Sequence, residues 1–314
     1  MAEAVKAANS AAKRPRAYWL RLLRLFAVAL VVTLGLAPFL MGLATIWGLT
    51  HPPCSMGVTP ADFGLTFEEI SFGVPQRNLT QNGYFIPATN GATLIVVPAF
   101  NGGRGSSLHY ANVFHQAGFN VLTFNSRVCA AHGWISLGYQ EVEDVQAAYE
   151  YLKTRPDVNP NRVGLHGFSS AGSTSLMAMP RIPELRSVSA EGGYHDYAAL
   201  LGVGQAATFF DALYQAGVTI GYRLVTGADL NQLNPYDAIG QIGPRAVLLV
   251  YGSREVTLPG ARLMLERALQ NGVKADLWVV EGAGHGEYLA LAPDEFVRRV
   301  VGFHEAALLD EAES

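Results

Sequence analysis

Residues 163–172, with the sequence VGLHGFSSAG, form the pattern that most constrains the fold of this chain. They combine an apolar strand, a glycine turn, a serine and a run of small residues suited to begin a helix. A strand–turn–helix unit of this kind lifts a serine hydroxyl onto a sharp bend above a parallel sheet. The pattern departs from the usual G-x-S-x-G because alanine stands at the second glycine position. Ser170 as nucleophile would put Phe168 where the turn needs glycine, so we predict Ser169.

Two later loops supply the partners that a serine nucleophile needs. Hydrolases built on this turn share the chain order serine, acid, histidine. The apolar run 246–251 predicts a buried strand, and Glu255 follows it in a loop. The next strand candidate, 275–280, leads to His285 between two glycines. Because ligands of open α/β sheets bind at the carboxyl ends of the strands, we predict that Glu255 orients His285.

Other residues compete for these roles and remain open at this point. His195 is the main rival for the base, although it precedes the acid candidate in the chain. Glu191 and Asp196 follow the strand candidate at 187–190, and some hydrolases carry the acid at this position. Asp237 is more simply interpreted as a helix cap.

These motifs together resemble the α/β-hydrolase superfamily, in its serine esterase or peptidase-like branch, across about residues 59–306. Segments 136–145 and 234–239 are also similar to family segments before the nucleophile strand and the acid strand. The resemblance implies an α/β-hydrolase fold with a mostly parallel sheet and helices on both faces. It also implies that the backbone N–H groups of Phe100 and Ser170 form the oxyanion hole.

The chain also departs from the family pattern in the loop at 127–133, so substrate entry is expected to differ. Departures of this kind would also occur in a catalytically inactive relative that serves as a binding module. Such a binding module is the alternative function from a different class.

Between residues 194 and 240 the strand–helix alternation breaks. This segment is apolar and carries four aromatic residues, Phe209, Phe210, Tyr214 and Tyr222. It predicts a small helical cap over the site, which would favour an apolar acyl or aryl group in the substrate.

Residues 25–49 contain no charged side chain. At ~1.5 Å per residue this stretch spans roughly 37 Å, enough to cross a ~30 Å hydrocarbon layer. We predict a single transmembrane helix, with a cleaved signal peptide as the alternative. Six basic residues precede the stretch and none follows it before Arg77. The positive-inside rule therefore predicts a cytoplasmic N-terminus and an extracytoplasmic catalytic domain.

The part of the chain after residue 24 is acidic. Without the six basic residues and one acidic residue of the first 24 positions, 16 Lys and Arg stand against 25 Asp and Glu. This balance argues against nucleic acid or anionic lipid headgroups as partners. An extracytoplasmic location would permit a disulfide between Cys54 and Cys129, but their spacing does not decide it. The oligomeric state is not predicted.

We expect a basic cytoplasmic tail at 1–24, a transmembrane helix at 25–49, a linker at 50–66, a catalytic domain at 67–309 and a tail at 310–314. The predicted function is membrane-anchored cleavage of a small-molecule carboxylic ester or related acyl bond through an acyl-enzyme, with no cofactor. A serine peptidase-like amide hydrolase is the alternative.

Overall fold

The computed structural model describes residues 16–130 and 133–309. Residues 1–15 of the predicted basic tail and the predicted tail at 310–314 lie outside the described residues. In the described part the strands are β1 (Ser55–Gly57), β2 (Glu68–Val74), β3 (Leu79–Ile86), β4 (Thr93–Val97), β5 (Gly102–Gly105), β6 (Asn120–Phe124), β7 (Val163–Phe168), β8 (Ser187–Glu191), β9 (Ala246–Gly252) and β10 (Lys274–Val280).

Eight of these strands form one sheet in the order β10-β9-β8-β7-β4-β6-β3-β2. The pairs β2–β3 and β3–β6 are antiparallel and the other pairs are parallel. The central strands consist mainly of apolar and small residues because both of their faces are buried. On β4, Leu94 and Val96 join one core cluster, whereas Ile95 and Val97 join the other.

Helices cover both faces of this sheet, as the two core clusters require. The described helices are α1 (Arg16–Thr50), α2 (Leu108–Gln116), α3 (Glu141–Lys153), α4 (Ser170–Ala178), α5 (Tyr197–Leu200), α6 (Phe209–Thr226), α7 (Pro235–Ile239), α8 (Leu258–Gln270), α9 (Tyr288–Leu291), α10 (Pro293–Phe296) and α11 (Gly302–Leu308), with a π-helical turn at Val297–Val301. The predicted α/β-hydrolase fold, with its mostly parallel sheet, is confirmed.

The N-terminal apolar segment is one long helix, α1, which begins earlier than the predicted 25–49 and includes Arg16. Within the described residues it is the helix long and apolar enough to cross a membrane. Its side chains are exposed along most of its length, and Gly42, Ile46 and Thr50 are its buried residues. The buried residues of α1 all lie in its second half, where α6 packs against the helix.

The segment predicted as a cap contains α5, α6 and α7. Its four aromatic residues do not share one environment. Tyr222 is buried and donates to the carbonyl of Ser136, whereas Tyr214 faces α1 and its hydroxyl lies 3.4 Å from Thr45 Oγ1. Phe209 and Phe210 are exposed. Helix α6 therefore packs along α1, a neighbour that the local sequence pattern does not reveal.

The predicted linker at 50–66 contains β1, which pairs in parallel with β5 as a separate two-stranded sheet. A disulfide joins Cys54 to Cys129 beside this pair, which settles the question that the spacing left open. Glycine is required on β5, since a side chain at Gly105 would overlap the backbone of Val58.

Candidate active site

Ser169 lies at the turn between β7 and α4 with a backbone φ of 58° and ψ of −127°. Positive φ is uncommon for a residue with a Cβ and usually marks a constrained position. The Ser169 N–H donates to the carbonyl of Glu191 at 2.6 Å, which fixes the turn against the neighbouring strand. Gly167 allows the turn to close, because a side chain there would overlap the backbone of Ala171.

The structure brings three of the predicted residues together at the carboxyl ends of β7, β9 and β10. Ser169 Oγ lies 2.9 Å from His285 Nε2, and His285 Nδ1 lies 3.0 Å from Glu255 Oε2. The His285 side chain is half exposed, whereas that of Glu255 is buried. A hydroxyl, an imidazole and a carboxylate connected in this order can generate a serine nucleophile.

Glu255 is held as a carboxylate by several donors. Gly252 N–H donates to its Oε1 at 2.8 Å, and the hydroxyl of Tyr288 donates to the same oxygen. Burial raises the pKa of Glu255, but the hydrogen bonds from His285, Gly252 and Tyr288 outweigh it, so the net pKa is lowered from 4.5. Glu255 therefore stays ionised beside His285, where a carboxylate can stabilise an imidazolium if one forms.

Two contacts of this group were not predicted from the sequence. Tyr288 is buried at the start of α9, three residues after His285, and no spacing rule marks such a residue. The ring of Phe168 lies 4.8 Å from the ring of His285, between centroids. Phe168 belongs to the nucleophile motif itself, so its position beside Ser169 was the available signal.

The structure places three competing residues in other environments. The ring of His195 packs against Gly260 on α8. Asp196 caps α5 by accepting from a backbone N–H at 3.0 Å. The cap of α7 is Asn234, which accepts from the N–H of Asp237, so the interpretation of Asp237 as the cap is wrong by one turn.

Glu191, the remaining competitor, is fully buried behind the nucleophile turn. It accepts a hydrogen bond from Tyr110 at 2.8 Å, and its other oxygen lies 3.9 Å from His166 Nε2. Burial raises the pKa of Glu191 to about 8, against the opposing effect of the Tyr110 hydrogen bond and with a contribution from the charge of Glu255. The carboxyl group that bonds His285 is that of Glu255.

The two predicted oxyanion donors lie side by side. Ser170 is the first residue of α4, where backbone N–H groups have no earlier acceptor within the helix. The N–H of Phe100 donates to Ser170 Oγ at 3.2 Å, and the hydroxyl of Ser126 donates to the carbonyl of Phe100. The Phe100 loop is thus positioned against the start of α4.

A cavity of about 670 Å³ opens beside Ser169 and His285. The apolar and aromatic residues that line it include Phe168, Tyr194, Tyr197, Leu200 and Val256. The lining includes residues before and on α5 but none of the four aromatic residues predicted to cover the site. Among residues 16–130 and 133–309, no group of three His, Cys, Asp or Glu side chains is placed to hold a metal ion.

Sequence comparison relates this chain to a known family of hydrolases. Residues 106–310 match the profile of the prolyl oligopeptidase family. The chain is similar to the uncharacterized protein YfhR of Salmonella typhimurium, with 24% identity over 255 residues that cover 77% of this chain and 82% of that protein. It is also similar to thiohydrolase apmlB of Arthrinium phaeospermum, with 26% identity over 130 residues that cover 39% of this chain and 42% of that protein.

Comparison with solved structures shows the same fold. The esterase Pf2001 of Pyrococcus furiosus matches with a TM-score of 0.67 and 22% identity, covering 83% of this chain and 98% of that one. Dipeptidyl peptidase 4 of Porphyromonas gingivalis matches with a TM-score of 0.53 and 17% identity, covering 74% of this chain and 35% of that one. At these identities the likeness establishes the shared fold.

Proposed function

This chain belongs to the prolyl oligopeptidase family of α/β-hydrolases, and within this class of hydrolases we propose that it cleaves a carboxylic ester through an acyl-enzyme on Ser169. The observation that carries the proposal is the continuous hydrogen-bonded chain from Ser169 Oγ through His285 to Glu255. It stands on a turn whose positive φ directs the serine out of the sheet.

In the proposed mechanism, Ser169 Oγ attacks the ester carbonyl carbon while His285 Nε2 takes the hydroxyl proton. Glu255 stabilises the resulting imidazolium through Nδ1. The oxyanion accepts hydrogen bonds from the N–H groups of Phe100 and Ser170, and the loss of one such donor typically costs ~2.7–4 kcal/mol of barrier. His285 then gives its proton to the leaving alkoxide, and a water molecule repeats the sequence to release the acid.

The Phe100 N–H must change partners during this reaction. It donates to Ser170 Oγ in the structure, at 3.2 Å, so it must turn from the hydroxyl to the oxyanion as the intermediate forms. The Ser170 hydroxyl then needs another partner, which solvent in the cavity can supply. The Ser170 hydroxyl therefore positions the Phe100 loop before the intermediate forms, and this hydroxyl is not required for bond cleavage.

An apolar acyl group is favoured in the substrate because the cavity lining is mainly apolar and includes Tyr194, Tyr197 and Leu200. Relatives described as a thiohydrolase and an esterase support transfer of an acyl group from sulfur or oxygen. The family description supports the alternative, a peptidase-like amide hydrolase.

We also propose that α1 anchors the enzyme in a membrane with the catalytic domain on the extracytoplasmic side. The helix is apolar and exposed, and Arg16, Arg21 and Arg24 lie at its N-terminal end. The disulfide between Cys54 and Cys129 supports this side of the membrane, since disulfides persist in oxidising compartments.

Labelling with a fluorophosphonate tests the nucleophile directly. The full chain in detergent is treated with the probe, digested and analysed by mass spectrometry, with adduct expected on Ser169. Ser169→Ala should abolish the adduct and lower ester turnover by on the order of 10⁶-fold, the scale of other serine-nucleophile substitutions. Ser170→Ala is the matched control and should keep labelling. An adduct on Ser170, or no adduct on folded protein, would overturn the assignment.

The acid is tested by a second pair of variants. Glu255→Gln should lower kcat by roughly 10⁴-fold, as loss of the orienting carboxylate does in other triads. Glu191→Gln, a buried glutamate without a bond to His285, should keep most of the activity. Hydrolysis of p-nitrophenyl esters and of the matched anilides distinguishes ester from amide preference in the same assay. If Glu191→Gln were the inactive variant, the acid would have to be reassigned.

A further inference from the structure

We infer that the outer face of α6 lies in the lipid bilayer beside α1, so that the enzyme takes apolar esters dissolved in the membrane. The substrate part of this inference rests on the proposed ester hydrolysis and membrane anchoring. The position of α6 in lipid depends on the anchoring alone.

The outer face of α6 is apolar at helical spacing. Positions 209, 213, 216, 220 and 224 are Phe, Leu, Ala, Ile and Leu, which recur every three or four residues on one side of the helix. The side chains of Phe209, Ile220 and Leu224 are 70%, 46% and 77% exposed. A contiguous apolar surface of this kind on a folded protein marks an interaction with a partner or a membrane.

This face lies beside the uncharged part of α1. Gly217 packs against Phe39 and Gly42, and Gly221, one turn later, packs against Leu43 and Ile46. The two helices therefore run side by side in the same direction. Side chains at Gly42 or Gly217 would overlap the opposing backbone, and close packing through small residues is typical of helices within membranes.

The occupant of the outer face follows from this neighbour. The residues of α1 that contact α6 belong to the stretch proposed to cross the bilayer, so lipid that surrounds α1 must also meet the outer face of α6. Charge is sparse on α6. Asp211 is bonded to the N–H and hydroxyl of Thr208 at the helix start, and Arg223 lies in the last turn, where a long side chain can reach the lipid–water interface.

The cavity is connected to α6 by a short loop. Leu200 lines the cavity and is 50% exposed, and the loop after it leads directly to α6. Gln215 on α6 fixes this loop by donating to the carbonyl of Gly202 at 2.7 Å and accepting from the N–H of Gly204 at 3.2 Å. In this proposal, an acyl chain that leaves the bilayer along α6 enters the cavity past Leu200.

The location of α6 is tested without any reference to activity. The full chain is reconstituted in phosphatidylcholine vesicles with and without brominated acyl chains, which quench tryptophan at the depth of the bromine. Leu224→Trp should add fluorescence that brominated lipid quenches. Leu269→Trp on α8, which replaces a leucine that is 56% exposed, is the control and should add fluorescence that is not quenched.

Equal behaviour of the two added tryptophans would overturn the inference. The native Trp19 and Trp47 on α1 report on anchoring in the same experiment. If brominated lipid does not quench the unsubstituted protein, the anchor fails and the inference fails with it.

The substrate part is tested with a charge pair on each surface. Ile220→Glu/Leu224→Glu should lower kcat/KM for a long-chain ester dissolved in vesicles by about tenfold, because carboxylates are costly in lipid. The same variant should keep its rate on a short water-soluble ester. Leu263→Glu/Leu269→Glu on α8 should leave both rates unchanged.

Equal loss on both esters would show damage to the fold and overturn the substrate assignment. If the unsubstituted enzyme hydrolyses neither ester, the proposed function fails, whereas the fluorescence result still decides where α6 lies.

Discussion

At the scale of single residues, two buried glutamates near Ser169 differ in their surroundings and therefore in the direction of their pKa shifts. Burial raises the pKa of Glu191 to about 8. For Glu255 the same effect is outweighed by hydrogen bonds from His285, Gly252 and Tyr288, and the pKa is lowered from 4.5. The contribution of Glu191 to the free energy of unfolding is fully present below pH 4.5 and is lost as the pH rises toward 8. The contribution of Glu255 is present above pH 4.5 and is lost as the pH falls below this value.

Glutamine variants should therefore show opposite pH dependences of stability. The difference in unfolding free energy between the wild type and Glu191→Gln should fall as the pH rises from 4.5 to 8, by up to about 1.36 kcal/mol per pH unit. For Glu255→Gln the difference should fall as the pH drops below 4.5. Thermal unfolding of the full chain in detergent, followed by circular dichroism across this range, measures both. Parallel curves for the two variants would contradict the assigned environments.

The residues of the candidate site were predictable to different degrees. Ser169, Glu255 and His285 each follow a strand pattern, and parallel strands bring their carboxyl ends to one edge, so their proximity could be expected. Their catalytic roles remain predictions. The donation from Tyr288 to Glu255 could not be foreseen, because it depends on how the chain bends after His285.

At the scale of elements, β1 and β5 connect the end of α1 to the loop that carries Phe100. Ser55 N–H donates to the carbonyl of Asn101 at 2.8 Å, and the disulfide from Cys54 to Cys129 closes the same region. The Phe100 loop is therefore held by β1 and the disulfide as well as by the main sheet. The loop at 127–133, which departs from the family pattern, contributes Cys129 to this disulfide.

Removal of this disulfide should loosen the Phe100 loop. Cys54→Ser/Cys129→Ser should lower the free energy of unfolding by ~2–4 kcal/mol, the usual effect of losing a disulfide. It should also lower kcat more than it raises KM, because the Phe100 N–H is proposed to donate to the oxyanion in the transition state. Thermal unfolding and ester kinetics measure these effects, and treatment of the variant with a reductant should add nothing. Unchanged stability and kcat would contradict a role for this link.

Elements with a strong local pattern were predicted and those that depend on distant partners were not. The central strands follow from continuous apolar runs, and α1 follows from the absence of charge. The pairing of β1 with β5 leaves no such pattern, because its strands are short and β5 consists of three glycines and an arginine. The aromatic segment around α6 predicted a helix but not its neighbour, since the packed residues of α1 are distant in sequence.

At the scale of the whole molecule, α1 and the α/β-hydrolase domain are joined by the contact of α1 with α6 as well as by the chain itself. A connection through the chain alone would leave the domain free to rotate relative to α1. The buried contacts of Gly42 and Ile46 instead fix α6 beside α1, and Tyr222 on α6 reaches the carbonyl of Ser136 in the catalytic domain. The orientation of the domain relative to α1 is therefore set by side-chain packing.

Enlargement of Gly42 should separate the anchor from the domain. Gly42→Val places a side chain against the backbone of Tyr214 and Gly217, and overpacking of this kind typically costs ~1–3 kcal/mol. Gly48→Val on the same helix is the matched control, because no other atom lies within 4 Å of the position a Cβ would occupy there. The full chain in phospholipid nanodiscs should unfold at a lower temperature with valine at 42 and not with valine at 48. Limited proteolysis should cut the loop before α6 faster in the first variant alone, because that loop is held by α6 through Gln215. Equal stability and equal cleavage of both variants would mean that α1 is only a tether, and the cavity would then have no fixed direction relative to the bilayer.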